Sequence, residues 1–464
     1  MSASDLSNEA KGPLIQGSPA ALRTATMLVT SLFFFWGIVN NSLPSVIPKV
    51  QEACSLSDVQ AGFVASAFWV AYFLMPYPAG IVMRRFGFKG AIVTGLVLGA
   101  LGCGLFVSAA STVSYAVFLL APFVLSSGMA FLETAANPYI SVLGDPERAP
   151  NRLNFAQTFN GIAAFISALW LSKVILGTPK HPEAQMAAWK VSDLPAYQAA
   201  LAEDARSVIP VFLAIGGLLA MAAAIFAVVR LPDSREHVAG HNELEEEKKQ
   251  FAQLFANRYF MFGVLAQFAY VGAQVGVDDF FLRYVPSVTG MARNDATTYL
   301  GLILGCFMLG RVIGTSLMTK IPARTLLGVF AATNVVLLAY CGLAPIEKAP
   351  TFTVAIPTWL LLGDHAVFSS HPAPYVLMGV KFFMSIMFPT IFSLALANLG
   401  RATKLGATLL VMSIVGGAVL PPLMGLISRT TGVFAYSYLA PMACMVVVLA
   451  FSFARPRATS PIAG

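Results

Sequence analysis

Twelve stretches of this chain are long and apolar enough to cross a bilayer, and that property decides most of what it can fold into. Crossing ~30 Å of hydrocarbon takes roughly 20 residues of helix. Stretches of that kind lie near 25–47, 60–82, 89–110, 114–142, 153–176, 207–229, 260–284, 297–318, 324–344, 374–396, 403–427 and 433–454. Inside lipid each backbone N–H and C=O must find its partner within the segment, so such stretches read as helices. The expected fold class is an all-α membrane protein. With 57% hydrophobic and only 11% charged residues in 464, a soluble enzyme of this size is excluded, and no enzyme activity is expected. The first apolar stretch is too long for a cleavable signal peptide and lacks a small-residue cleavage site.

Basic residues orient the chain. Loops on the amino-terminal side hold Lys11, Arg23, Arg84, Arg85, Lys89, Arg148, Arg152, Lys320, Arg324, Arg401, Lys404, Arg455 and Arg457. The opposite short loops hold little beyond Lys49, Arg293 and Arg429. Both termini are therefore expected in the cytoplasm, with the chain in the cell (inner) membrane. The net charge of +7 is largely this bias, which suits an anionic leaflet and calls for no nucleic acid.

The charged stretch "LPDSREHVAGHNELEEEKKQ" divides the chain near its middle, with six spans on either side. The expected organisation is a tail over 1–24, a first six-helix bundle over 25–230, a linker over 231–258, a second bundle over 259–454 and a tail over 455–464. The later part of the linker places Phe251, Leu254 and Phe255 at helical spacing, as in a short helix on the inner surface; a solvated flexible linker is the alternative. The segment 178–206 is expected to be a long polar outer loop. So is 345–373, whose apolar part is too short to span and contains Pro357.

The two halves repeat one another weakly. "FFFWGIVNNSLP" in the first span sets Trp36 and Asn40 against Tyr270 and Gln274 of "QFAYVGAQVGVD" in the seventh, and "FLETAANPYISVLG" sets against "FPTIFSLALANLG". Internal repeats of this kind imply two bundles around a cavity near the middle of the membrane.

Inside the spans the polar residues stand out. Cys54, Cys103, Cys306, Cys341 and Cys444 are scattered without metal-ligand spacing and read as small buried hydrophobes, and the five histidines, His181, His237, His241, His365 and His371, fall in loops. No metal site and no histidine relay is expected. Glu133 is different: a carboxylate at depth costs about 2.5–3.5 kcal/mol on insertion scales, and such residues usually line an ion or substrate path. A structural glutamate bonded to a neighbouring helix is the plainer alternative.

The segments "SLFFFWGIVNNSLPSVIP", "YPAGIVMRRFGFKGAIVTGL", "LETAANPYISVLG", "RLNFAQTFNG", "VLAQFAYVGAQ" and "FPTIFSLALANLG" together resemble the fucose permease group of the major facilitator superfamily, over residues 26–454 apart from the linker and the two outer loops. The inner loop departs from the general facilitator signature, with Arg84 where that signature has an aspartate. The resemblance implies a major facilitator fold of twelve helices in two six-helix bundles. It implies a monomeric transporter importing a hexose or 6-deoxyhexose with a proton, by alternating access, with no cofactor. Sodium is the alternative coupling ion.

Sugar hydroxyls each donate and accept, so amides and aromatic faces suit them. Asn40, Asn41, Asn137, Gln157, Asn160, Gln267 and Gln274 supply amides, with Gln157 and Asn160 at i, i+3 on one helical face. Trp36, Phe159, Tyr270 and Phe388 are candidate ring platforms. The expected binding set is Asn41, Asn137, Gln157, Asn160, Tyr270 and Gln274. Glu133 is the expected proton carrier, because desolvation brings a carboxyl towards neutral titration. Arg311 reads equally as a functional intramembrane charge or as a structural residue near the inner surface. A multidrug exporter, an uncoupled facilitator and a non-transporting sugar receptor remain as rivals.

One departure from the group matters. Its fucose–proton symporters carry a coupling aspartate three residues after the "NN" pair, where this chain has Pro44. By the internal repeat Pro44 matches Asp278, followed by Asp279, at a depth of about 27 Å along its span at ~1.5 Å per residue. Lys381 in the tenth span lies at similar depth. A charge pair of Asp278 or Asp279 with Lys381, acting as outer gate or relocated coupling site, is the expectation; snorkelling to the outer surface is the alternative.

Overall fold

A computed structural model of the chain describes residues 15, 18–54, 58–167, 181, 183–232, 243–292, 296, 298–343, 350–355, 365–397 and 399–455. Lys11, His237, His241, Arg293 and Arg457 lie outside the described residues. So do most of the expected amino-terminal tail, the first part of the linker, the end of the fifth span and parts of the outer loop at 345–373.

The helices in chain order are α1 (Pro19–Ala53), α2 (Asp58–Leu74), α3 (Pro76–Thr112), α4 (Tyr115–Val142), α5 (Ala149–Ile166), α6 (Glu183–Ser192), α7 (Leu194–Arg206) and α8 (Ile209–Val228). They continue with α9 (Glu243–Ala256), α10 (Arg258–Thr289), α11 (Thr298–Leu317), α12 (Ala323–Leu343), α13 (Ala373–Met384), α14 (Met387–Leu396), α15 (Thr403–Met412), α16 (Gly416–Thr431) and α17 (Leu439–Phe453). As far as their residues are described, the twelve apolar stretches each fall on one helix, or on two joined end to end. The second span is α2 with the first part of α3, and the third is the remainder of α3. The divider is Gly87, at φ 74° and ψ 177°, a backbone conformation that a side chain would strain.

Contacts group the chain into two compact units, one of residues 31–136 and 162–231, the other of residues 1–30, 137–161 and 232–464. In the first unit the polar segment before the sixth span is helical rather than a loop. Asp193 separates α6 from α7 and caps the latter, its carboxylate accepting from the Ala196 N–H at 3.0 Å. In the second unit α9 forms as the linker spacing predicts, with Leu254 buried and the rings of Phe251 and Phe255 stacked at 6.4 Å.

The segment before the tenth span holds the one departure from helix among the described elements. Strands β1 (Thr351–Ala355) and β2 (His365–Ser369) pair antiparallel, with Phe352 opposite Phe368. His365 is thus in a strand, and an alternation of apolar and polar side chains in "TFTVA" was the available signal. Tyr299 at the start of α11 accepts the Ser369 N–H at 2.8 Å, while the Tyr375 hydroxyl donates to the Ser369 carbonyl at 2.8 Å. The hairpin is tied to the ends of α11 and α13.

Candidate functional site

In the unit of residues 31–136 and 162–231, the polar groups converge on one hydroxyl. Tyr72 on α2 is fully buried, and its oxygen accepts from Trp36 Nε1 at 2.9 Å and from Asn40 Nδ2 at 3.1 Å, both on α1. With both lone pairs engaged, its own O–H is left for Glu133 on α4, with which it hydrogen-bonds. Glu133 is 3% exposed. Three helices therefore bring an indole, an amide, a phenol and a carboxyl together, all from residue types that can also serve a sugar. Asn41 lies beside Asn40 in sequence, half-buried, and donates to the Gly37 carbonyl one turn back at 2.8 Å.

In the other unit, α5 is laced to α11 and α14. Asn151 Nδ2 donates to the Thr315 carbonyl at 2.8 Å, and Asn154 Nδ2 to the Thr390 hydroxyl at 3.1 Å. The Gln157 carbonyl receives Arg311 Nη1 at 2.7 Å. The spacing 151, 154, 157 is one helical face read twice over by i, i+3. The Gln157 side chain is buried and turns the other way, donating from Nε2 to Asn137 Oδ1 at 3.2 Å. Two of the expected sugar amides thus form a pair, and Asn160, half-buried, follows Gln157 by one turn. Glu133 precedes Asn137 by one turn of α4.

The tenth span is broken between α13 and α14, and three neighbouring helices enter the break. The Tyr270 hydroxyl of α10 donates to the Met384 carbonyl at 2.9 Å and accepts from the Phe388 N–H, so it sits inside a bond that an intact helix would close directly. Asn334 of α12, with its amide turned to satisfy both groups, donates to the Val380 carbonyl at 3.1 Å and accepts from the Met384 N–H at 3.2 Å. Pro389 has no N–H to offer the Ser385 carbonyl, and Arg311 Nε takes that acceptor at 2.9 Å. Arg311 is within reach because α11 approaches so closely: a Cβ on Gly310 would lie 2.2 Å from the Phe382 carbonyl oxygen. Arg311 is therefore a buried residue that clasps two helices, as the structural reading of "GRVIGTSLMTK" allowed.

One turn before the break stands the ion pair. Lys381 Nζ lies 2.7 Å from Oδ1 and 2.8 Å from Oδ2 of Asp278. Lys381 is 3% exposed and Asp278 46%. The Phe307 ring of α11 receives both nearby cations, Lys381 Nζ at 5.0 Å and the Arg311 guanidinium at 4.7 Å from its centre. Asp279, the alternative partner, instead has Arg283 in its field. Gln274 is half-buried one turn after Tyr270. Gln267, one turn before it, is fully buried and makes no side-chain hydrogen bond to any described residue.

Tyr72, Asn154 and Asn334 belong to these arrangements and were not singled out in the sequence. Asn334 had a signal, a lone amide in "AATNVVLL"; Asn154 had one in the 151, 154, 157 spacing. Tyr72, inside "FWVAYFL", looks like any aromatic facing lipid.

Residues 25–411 match the Major Facilitator Superfamily. The chain is 34% identical over 433 residues to the L-fucose-proton symporter of Escherichia coli K12, an alignment covering 93% of this chain and 92% of that one. It is 32% identical over 422 residues to a glucose/galactose transporter of Brucella abortus biovar 1, covering 90% and 91%. Among solved structures, the transporter FucP in its outward conformation matches with a TM-score of 0.80 and 33% identity, over 93% of this chain and 98% of that one. With its helices, its polar clusters and these likenesses in view, the chain belongs to the Major Facilitator Superfamily and, within it, to the fucose permease group.

Proposed function

We propose that this protein imports a monosaccharide, a hexose or 6-deoxyhexose, together with a proton by alternating access. The observation that carries the reading is Glu133, a carboxyl 3% exposed within a span and bonded to the Tyr72 hydroxyl that also gathers Trp36 and Asn40. A buried carboxyl with a hydroxyl partner can bind and release a proton without losing its place, and the surrounding amides match sugar hydroxyls. Support comes also from relatives named as an L-fucose-proton symporter and a glucose/galactose transporter.

In this reading Glu133 is the proton carrier and Asp278 a second coupling candidate. Asn41, Asn137, Gln157, Asn160, Tyr270 and Gln274 contact the sugar. Residues 25–230 and 259–454 act as two six-helix bundles joined by the linker. The protein works as a monomer in the inner membrane with both termini cytoplasmic, without nucleic acid, cofactor or enzymatic turnover, and with H+ rather than Na+ as the driving ion.

The test is uptake into proteoliposomes by the purified protein, with a panel including fucose, glucose and galactose under separate pH and sodium gradients. Accumulation of one sugar above its external concentration, driven by the pH gradient alone, is expected. Counterflow without accumulation under either gradient would instead identify an uncoupled facilitator.

A further inference from the structure

A groove at the basic end of the second and third spans fits a ligand that the transport cycle does not use. It is a cavity of about 510 Å³, within the roughly 300–1,000 Å³ range of small-molecule sites, lined by Val82, Phe86, Lys89, Val93 and Thr94 of α3 and Ala227 of α8. The break at Gly87 lets the two parts of α3 form its walls. Lys89 Nζ donates to the Ala227 carbonyl at 2.8 Å, one of the last-turn carbonyls of α8 left without a helical donor. That bond holds the ammonium at the groove and occupies one of its three N–H groups. The Arg85 guanidinium lies 5.6 Å from the centre of the ring of Phe86, which itself lines the groove. No acidic residue occurs between Asp58 and Glu133, so the two cations face no competing carboxylate from α3.

The surroundings of the groove select among anions. Phe86 is 64% exposed, and Ile81 and Val97 of α3 and Ile225 and Val228 of α8 are exposed as well. In a membrane-spanning chain that apolar collar is wetted by acyl chains. A free aqueous anion gains nothing from it, whereas a phospholipid places its phosphate at the cations and its chains along Val82, Phe86 and Val93. We propose that this groove binds an anionic phospholipid, its headgroup held by Lys89 and Arg85. The proposal requires that the chain spans a membrane and does not depend on which solute it carries.

The measurement is native mass spectrometry of the purified protein in micelles titrated with phosphatidylglycerol and, separately, phosphatidylcholine. A retained phosphatidylglycerol is expected, with Lys89→Gln weakening its retention about fivefold or more, the order expected for one basic residue against an anionic lipid. Phosphatidylcholine retention stays unchanged. Val93→Trp fills the groove while leaving both cations and should weaken phosphatidylglycerol as much; if Lys89→Gln does not fold, this variant decides by the same criterion. Lys320→Gln, an exposed cation of another loop, should have no effect. Equal retention in the groove variants, or an equal loss in Lys320→Gln, overturns the proposal, as does displacement of the lipid by millimolar inorganic phosphate. A failure of sugar uptake leaves each of these outcomes readable.

Discussion

Tyr72 and Tyr270 are both fully buried, and both hydroxyls are hydrogen-bonded, yet they do opposite things. Tyr72 gathers side chains: an indole, an amide and a carboxyl. Tyr270 gathers backbone, standing between the Met384 carbonyl and the Phe388 N–H. Side-chain partners can rotate, exchange protons and accept a hydroxyl of another molecule. Backbone partners at a helix break cannot leave without reorganising the helix. The Tyr72 hydroxyl thus keeps partners that can exchange, whereas the Tyr270 hydroxyl is committed to backbone and leaves only its ring for the proposed sugar contact, although the internal repeat sets Trp36 and Tyr270 at corresponding positions.

The comparison breaks most sharply at Glu133. Glu133→Gln keeps an acceptor for Tyr72 but cannot cycle a proton, so gradient-driven accumulation is expected to vanish while sugar counterflow persists in part. Uphill uptake equal to wild type would falsify the assignment and make Glu133 a structural residue.

The ion pair is the next largest effect, and it should be lopsided. Removing Asp278 strands a buried ammonium, a loss of order 3–5 kcal/mol for fully buried pairs and less here because the carboxylate is half open. Removing Lys381 leaves a carboxylate that can hydrate. Asp278→Ala should therefore lower the thermal midpoint more than Lys381→Ala, and the double swap of Asp278→Lys with Lys381→Asp should recover part of the transport lost in either single variant. Equal midpoints with normal uptake in both alanine variants would leave these charges without a role.

A smaller change is expected at the amides. Gln157→Ala or Asn160→Ala should weaken sugar binding by ~1–3 kcal/mol for each hydroxyl left without its partner. Unchanged apparent affinity in both, measured by counterflow, moves the sugar elsewhere.

The tyrosines themselves give the finest test. Tyr72→Phe deprives Trp36, Asn40 and Glu133 of a shared partner and should cost about 1–3 kcal/mol, visible as a lower thermal midpoint and impaired coupling. Tyr270→Phe should cost less, since the Met384 carbonyl and the Phe388 N–H can close on one another as in an ordinary helix. A greater destabilisation in Tyr270→Phe would show that the break is imposed by more than the hydroxyl that fills it.

The twelve spans were legible because each announces itself by length and apolarity alone, whereas the break at Gly87 and the helices within 183–206 were not read from the sequence. Glu133, Gln157 and Lys381 were legible as well, since a polar group in an apolar run is conspicuous. Their partners were less so. That Gln157 turns its amide to Asn137 and its carbonyl to Arg311 depends on the rotation of three helices about their axes, which a repeat of 3.6 residues leaves open. The helix break is written only in Pro389, and proline in a membrane span is common enough to be read as ordinary. The hairpin escaped because its strands are short and the apolar residues between them suggested a failed span.

The interrupted tenth span has a mechanical consequence. An unbroken helix behaves as a stiff rod: a twist applied at one end arrives at the other through consecutive peptide hydrogen bonds. Between Val380 and Phe388 that transmission line runs instead through an amide and a phenol belonging to other helices, with a guanidinium fastened to the carbonyl that proline leaves idle. Any torque on Ala373–Met384, the segment that carries Lys381, is delivered sideways, into α10, α11 and α12, before it can reach Met387–Leu396.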